Sequence, residues 1–160
     1  MGKIDLAKLI EYSEEKLEKL KEIKRLTEQQ GAAIEKEDMG ALNRLLAEKQ
    51  RVIDYIDRCD DAFQEELIKL KEQLGISSLS MLKDIEDGDG ERKRLVSIVA
   101  EIVNTIRLIQ DLEKENHNKL VEGMEQVKKK LKKVRQGKKG LASYNSGSSM
   151  LFGSFIDKRK

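Results

Sequence analysis

One thiol and one imidazole, Cys59 and His117, are the side chains of this 160-residue chain best suited to nucleophilic chemistry. A cysteine nucleophile needs a base in reach, a group to orient that base and an oxyanion site. Both residues fall inside stretches with helical periodicity, where no such turn or nest of amide groups is available, so catalysis is not expected and no cofactor is nominated. One Cys and one His also supply too few soft ligands for zinc. The acidic run Asp84-Ile85-Glu86-Asp87-Gly88-Asp89-Gly90 superficially resembles a calcium loop. An EF-hand needs glycine at its sixth position and a bidentate Glu at its twelfth. Counting from Asp84 those positions hold Asp89 and Leu95, and counting from Asp87 they hold Arg92 and Ile98, so the stretch reads as a turn.

Two further features could bind rather than react. From Val127 to Lys139 there are eight Lys or Arg residues and no acid. Without interleaved aromatic residues to stack on bases, this run does not favour nucleic acid. It reads as a solvated helix end whose cations offset the dipole. Beyond Gly137 the composition turns to Gly, Ser and Asn, yet this tail holds Tyr144, Met150, Leu151, Phe152, Phe155 and Ile156. Water penalises exposure of such a cluster, which points to docking on a protein surface. Insertion of Phe152 and Phe155 into a membrane surface beside Lys158-Arg159-Lys160 is the weaker alternative.

The elements that must position these groups are helical. Charged residues make up 39% of the chain, aromatics 4%, and there is no proline, which fits a helical bundle or coiled coil and disfavours β-rich folds. A net charge of +2 selects no class of partner. A lone cysteine, no secretory h-region after Met1 and no apolar run of ~18 residues predict a cytosolic location.

The organising stretch runs from Asp38 to Gly75. Leu42, Leu46, Lys49, Ile53, Ile56, Asp60, Phe63, Leu67, Leu70 and Leu74 recur at alternating steps of four and three, the spacing of a stripe that keeps facing one neighbour. Asp38 is placed to cap this helix and Gly75 to end it. A first helix over about 4–37 has Leu6, Leu9, Ile10, Leu17, Leu20, Ile23, Leu26 and Ile34 on its apolar face, with Gly31 as a weak point for a kink or fraying. Its junction with Asp38 predicts an antiparallel turn. A short helix is expected over 78–86 and a third long one over 91–136. In the latter, Leu95, Val99, Ile102, Ile106 and Ile109 repeat the stripe, and Ile98, Val103, Leu108 and Leu112 widen it enough to contact two helices. The expected architecture is all-α, an elongated antiparallel bundle or coiled coil of three long helices and one short one over 1–136. A labile C-terminal arm follows over 137–160.

Three stretches resemble the FlgN family of flagellar type III export chaperones. They are Asp38-Met39-Gly40-Ala41-Leu42-Asn43-Arg44-Leu45-Leu46-Ala47-Glu48-Lys49-Gln50, then Leu112-Glu113-Lys114-Glu115-Asn116-His117-Asn118-Lys119-Leu120, and last Tyr144-Asn145-Ser146-Gly147 with the distant Phe155-Ile156-Asp157-Lys158-Arg159. The resemblance implies an elongated helical fold without enzyme activity. It also implies binding of helical terminal segments of the hook–filament junction proteins FlgK and FlgL, and delivery to the export gate protein FlhA. Tyr144, the one tyrosine of the tail, is the position that would carry gate docking. The expected client face combines Leu120, Met124, Val127, Leu131 and Val134 with Met150, Leu151, Phe152, Phe155 and Ile156. A client-free scaffold, dimeric through the Leu42–Leu74 seam, is the alternative.

Overall fold

The computed structural model describes residues 6–75 and 90–137. Three α-helices make up the described residues: α1 (Ala7–Glu35), α2 (Met39–Leu74) and α3 (Glu91–Gly137). The short helix expected over 78–86 and the arm from residue 138 onward lie outside the described residues. The chain divides into two compact units, residues 1–113 and 114–160.

Local chemistry sets the helix ends. The turn after α1 is closed by Asp38 N–H to Ala33 O (2.9 Å) and Glu37 N–H to Ile34 O (3.1 Å). This is the paired bonding of a Schellman motif. Glu37 takes the left-handed position, at φ 58°. Asp38 serves both helices, because its carboxylate also accepts from Ala41 N–H at 3.0 Å and so caps α2. Gly75 ends α2 in the left-handed region, at φ 65°. At the start of α3, Glu91 lies in the first turn. Its carboxylate accepts the backbone N–H of Leu6 at 3.0 Å, satisfying an end that has no side-chain cap of its own.

The first unit is a helical hairpin with the first half of α3 laid against it. Low-numbered residues of α1 meet high-numbered residues of α2: Lys8 pairs with Glu66 (3.6 Å), Lys16 with Asp60 (2.8 Å), and Lys49 Nζ donates to Gln30 Oε1 (3.1 Å). The hairpin is therefore antiparallel. Helix α3 runs in the direction of α1, with Glu91 at Leu6, Arg94 paired to Glu14, and Glu113 paired to Lys49 farther along. The expected apolar face of α1 is buried in full, and Leu26 and Leu42 are each 1% exposed. Val52 and Ile56 of α2 and Leu95, Ile98 and Ile102 of α3 join the same core.

Two expectations are corrected. Gly31 does not fray α1, which continues through it to Glu35 with Gly31 buried. Burial of Gly31 offsets its low helix propensity, since packing rather than propensity holds most helices. Secondly, α3 does not bury the broad stripe. Leu95, Ile98, Ile102 and Thr105 point inward, whereas Val99, Val103 and Leu108 are 40%, 51% and 42% exposed. A stripe of double width needs a further layer of structure, and the described residues of the first unit supply only α1 and α2.

Candidate functional site

Cys59 lies on the inner side of α2, where its thiol donates to Glu15 Oε2 at 3.6 Å; the hydroxyl of Tyr55 donates to the same oxygen at 3.4 Å. Burial pushes the thiol pKa up, and the Glu15 carboxylate adds to the shift by accepting the S–H and by its charge. The Glu15 charge likewise raises Tyr55, with burial and Cys59 contributing and Lys19 opposing. A raised pKa keeps the thiol protonated at neutral pH, the reverse of what a nucleophile requires. His117 is exposed on α3 and belongs to the second unit. Among the described residues no group of three or more His, Cys, Asp or Glu side chains is disposed to hold a metal. The calcium-like run, apart from Gly90, lies outside the described residues.

The charged positions in the α2 seam have distinct explanations. Asp60 turns toward Lys16 at the surface. Lys49 is 9% exposed; it donates to the fully buried Gln30 and pairs with Glu113. The Nε2 of Gln30 has no hydrogen-bond partner. Helices α1, α2 and α3 thus share a polar layer within the first unit. Such layers penalise sliding of one helix along another, because every shifted register strands a charge.

The expected client face on the second half of α3 is a mixture. Leu120 and Leu131 are buried at 2% and 9% exposure, Met124 and Val127 are half-buried, and Val134 is 39% exposed. Lys128, Lys129, Lys130, Lys132, Lys133 and Arg135 are all exposed. Tyr144 and the apolar residues Met150, Leu151, Phe152, Phe155 and Ile156 lie outside the described residues.

Sequence periodicity missed a second apolar surface, in the first unit. Val96 is 61% exposed, and it lines up with Val99 and Val103 at steps of three and four. Beside this row a cavity of about 310 Å³ opens among the three helices, bordered by Tyr12, Cys59, Phe63 and Val99. The signal in the sequence was the pairing of two apolar rows on α3, Leu95–Ile98–Ile102 and Val96–Val99–Val103, of which a three-helix packing can bury one.

The family model for the FlgN protein matches residues 1–151. The chain belongs to the FlgN family. No curated protein and no solved structure matches it. The match spans every described residue and extends through Tyr144, Met150 and Leu151; Phe152, Phe155 and Ile156 fall beyond it. FlgN proteins are chaperones of flagellum biogenesis, and the all-helical FlgN chain described above fits that class. Among its described residues no helix is long and apolar enough to cross a membrane.

Proposed function

We propose that this chain is a cytosolic export chaperone for hook–filament junction proteins of the FlgK and FlgL type. It covers a helical terminal segment of a newly made junction protein, prevents premature assembly, and hands the client to the export gate protein FlhA. The observation that carries the proposal is the FlgN family match over residues 1–151. An amphipathic terminal segment left bare would self-associate, and a mating apolar face blocks that reaction.

The client face is assigned to Leu120, Met124, Val127, Leu131 and Val134 of α3, together with Met150, Leu151, Phe152, Phe155 and Ile156 of the C-terminal segment. Each such side chain buried by a client contributes roughly 1.5–3 kcal/mol before ordering costs. A few of them give micromolar to nanomolar affinity, weak enough for later release. Tyr144 is assigned to gate docking.

Titration calorimetry and sizing with purified FlgK and FlgL test the proposal. The full chain is expected to bind at least one of them, and a chain truncated after Gly137 is expected to bind it more weakly. Unchanged binding after truncation removes the tail from the client face. A stable homodimer indifferent to both clients and to salt would instead favour the client-free coiled-coil scaffold. Tyr144→Ala is expected to weaken FlhA binding while leaving client affinity unchanged.

A further inference from the structure

On the second half of α3 one side chain is covered by more than its own helix. Leu131 is 9% exposed, and among the described residues from 121 onward it alone is buried. A buried side chain touches about 6–12 other residues. The helix supplies four neighbours at three- and four-residue spacing, Val127, Lys128, Val134 and Arg135. They flank the leucine without covering its outer side. Val134, three residues farther on, shows what the helix alone provides, since it is 39% exposed. Leu131 belongs to the unit of residues 114–160, whose described part is this one stretch of helix. The burial arises within a single chain, so the cover lies elsewhere in that chain.

Reach selects the segment. Three stretches lie outside the described residues: 1–5, 76–89 and 138–160. Residues 1–5 precede Leu6, whose N–H bonds to Glu91, and residues 76–89 lead into the same end of α3. From Glu91 to Leu131 the helix runs about 60 Å at about 1.5 Å per residue. Five residues fully extended span at most about 18 Å and fourteen about 50 Å, so neither stretch arrives. Residue 138 begins about 10 Å along the helix from Leu131. Composition agrees with reach. From Gly140 to Ile156 no residue is charged, and Met150, Leu151, Phe152, Phe155 and Ile156 all fall in this stretch. Exposed Lys128, Lys129, Lys130, Lys132 and Lys133 surround Leu131. An uncharged segment meets that edge without setting cation against cation, whereas the same edge of a second copy would bring its own lysines.

We infer that residues 138–160 lie over the Val127–Leu131 edge of α3 in the client-free chain and occupy part of its own client face, so that a client must displace them. Displacement by a client presupposes the client face proposed above; the intrachain contact does not. A chain covered in this way hides two apolar surfaces from water at once. A client that must wait for the segment to leave associates more slowly.

Hydrogen exchange read by mass spectrometry on the full, client-free chain tests the contact. Amides of residues 150–156 are expected to exchange about tenfold more slowly than in a synthetic peptide of residues 138–160. Leu131→Ser, and separately Phe152→Ser combined with Phe155→Ser, should each bring them to within about twofold of the peptide. The tail substitutions lie beyond α3, so circular dichroism should show unchanged helicity. Peptide-like exchange in the parent chain, or protection that survives Leu131→Ser, overturns the inference. So does protection that disappears on dilution, since a second copy is then the cover. Protection that falls as salt is raised to about 0.5 M also overturns it, since the contact is then ionic. Stopped-flow association with purified FlgK and FlgL reads the displacement. The client that binds should associate about tenfold faster with the doubly substituted tail than with the parent, and equal rates overturn the displacement. If neither protein binds, the client face fails, and the exchange rates still decide the intrachain contact.

Discussion

Replacing Lys49 by Met and Gln30 by Leu, singly and together, probes how the polar layer is built. Gln30 is fully buried, and its Oε1 accepts from Lys49 Nζ at 3.1 Å while its Nε2 has no partner. Lys49→Met retains most of the packed stem but removes that donor. Both ends of the Gln30 amide are then stranded, and a buried unsatisfied carbonyl costs about 1–3 kcal/mol. The Glu113 side chain is 32% exposed and can turn to water, so the loss of its ion pair adds little. Gln30→Leu alone removes the orphan Nε2 but takes an acceptor from an ammonium whose side chain is 11% exposed, with an expected cost of about 1 kcal/mol. The double variant has neither a stranded amide nor a buried charge. It should recover to within about 0.5 kcal/mol of the parent, or exceed it, giving a favourable coupling of about 2–4 kcal/mol. Urea unfolding followed by circular dichroism measures all four chains. Additive losses, with the double variant as unstable as the two singles combined, would refute the idea that these side chains act as one buried unit.

Glu37→Gly should stabilise the chain by about 0.5–1 kcal/mol in the same unfolding assay, because relief of the left-handed strain exceeds the added freedom of the unfolded chain; Glu37 sits at φ 58°. Leu26→Ala, at a residue 1% exposed in the core, should cost about 2–5 kcal/mol of unfolding free energy. Cys59 should react slowly with iodoacetamide at neutral pH, and Glu15→Gln should move the rate midpoint to lower pH while burial keeps it above that of a free thiol. The raised thiol pKa also has a stability consequence of definite sign. Its contribution is complete below the unfolded-state value of about 8.5 and is lost as pH rises through the higher folded-state value, so a Cys59→Ala chain should show a flatter loss of stability over that alkaline window.

The three long helices, both ends of α2 and the start of α3 were legible in the sequence. Asp38 and Gly75 mark boundaries through interactions with backbone groups a few residues away, and such contacts depend on little else. The buried face of α1 was equally plain, since one uninterrupted stripe leaves a single way to turn the helix. The family, too, was legible, in stretches such as Asp38–Gln50 and Leu112–Leu120. Helix α3 was different: it carries two adjacent apolar rows, both at helical spacing. Periodicity could not rank them, because which row turns inward is set by the positions of α1 and α2, residues far away in the chain. The packing buried Leu95, Ile98 and Ile102 and left Val96, Val99 and Val103 in water. The role of Lys49 was hidden for the same reason, since in the sequence it reads as a flaw in a zipper. Only the packing of all three helices brings Gln30 and Glu113 to its ammonium group, turning an isolated charge into a register lock. Local bonding wrote the helices into the chain; the choice of faces waited for the neighbours, because burial is a property of the assembled helices and not of any one of them.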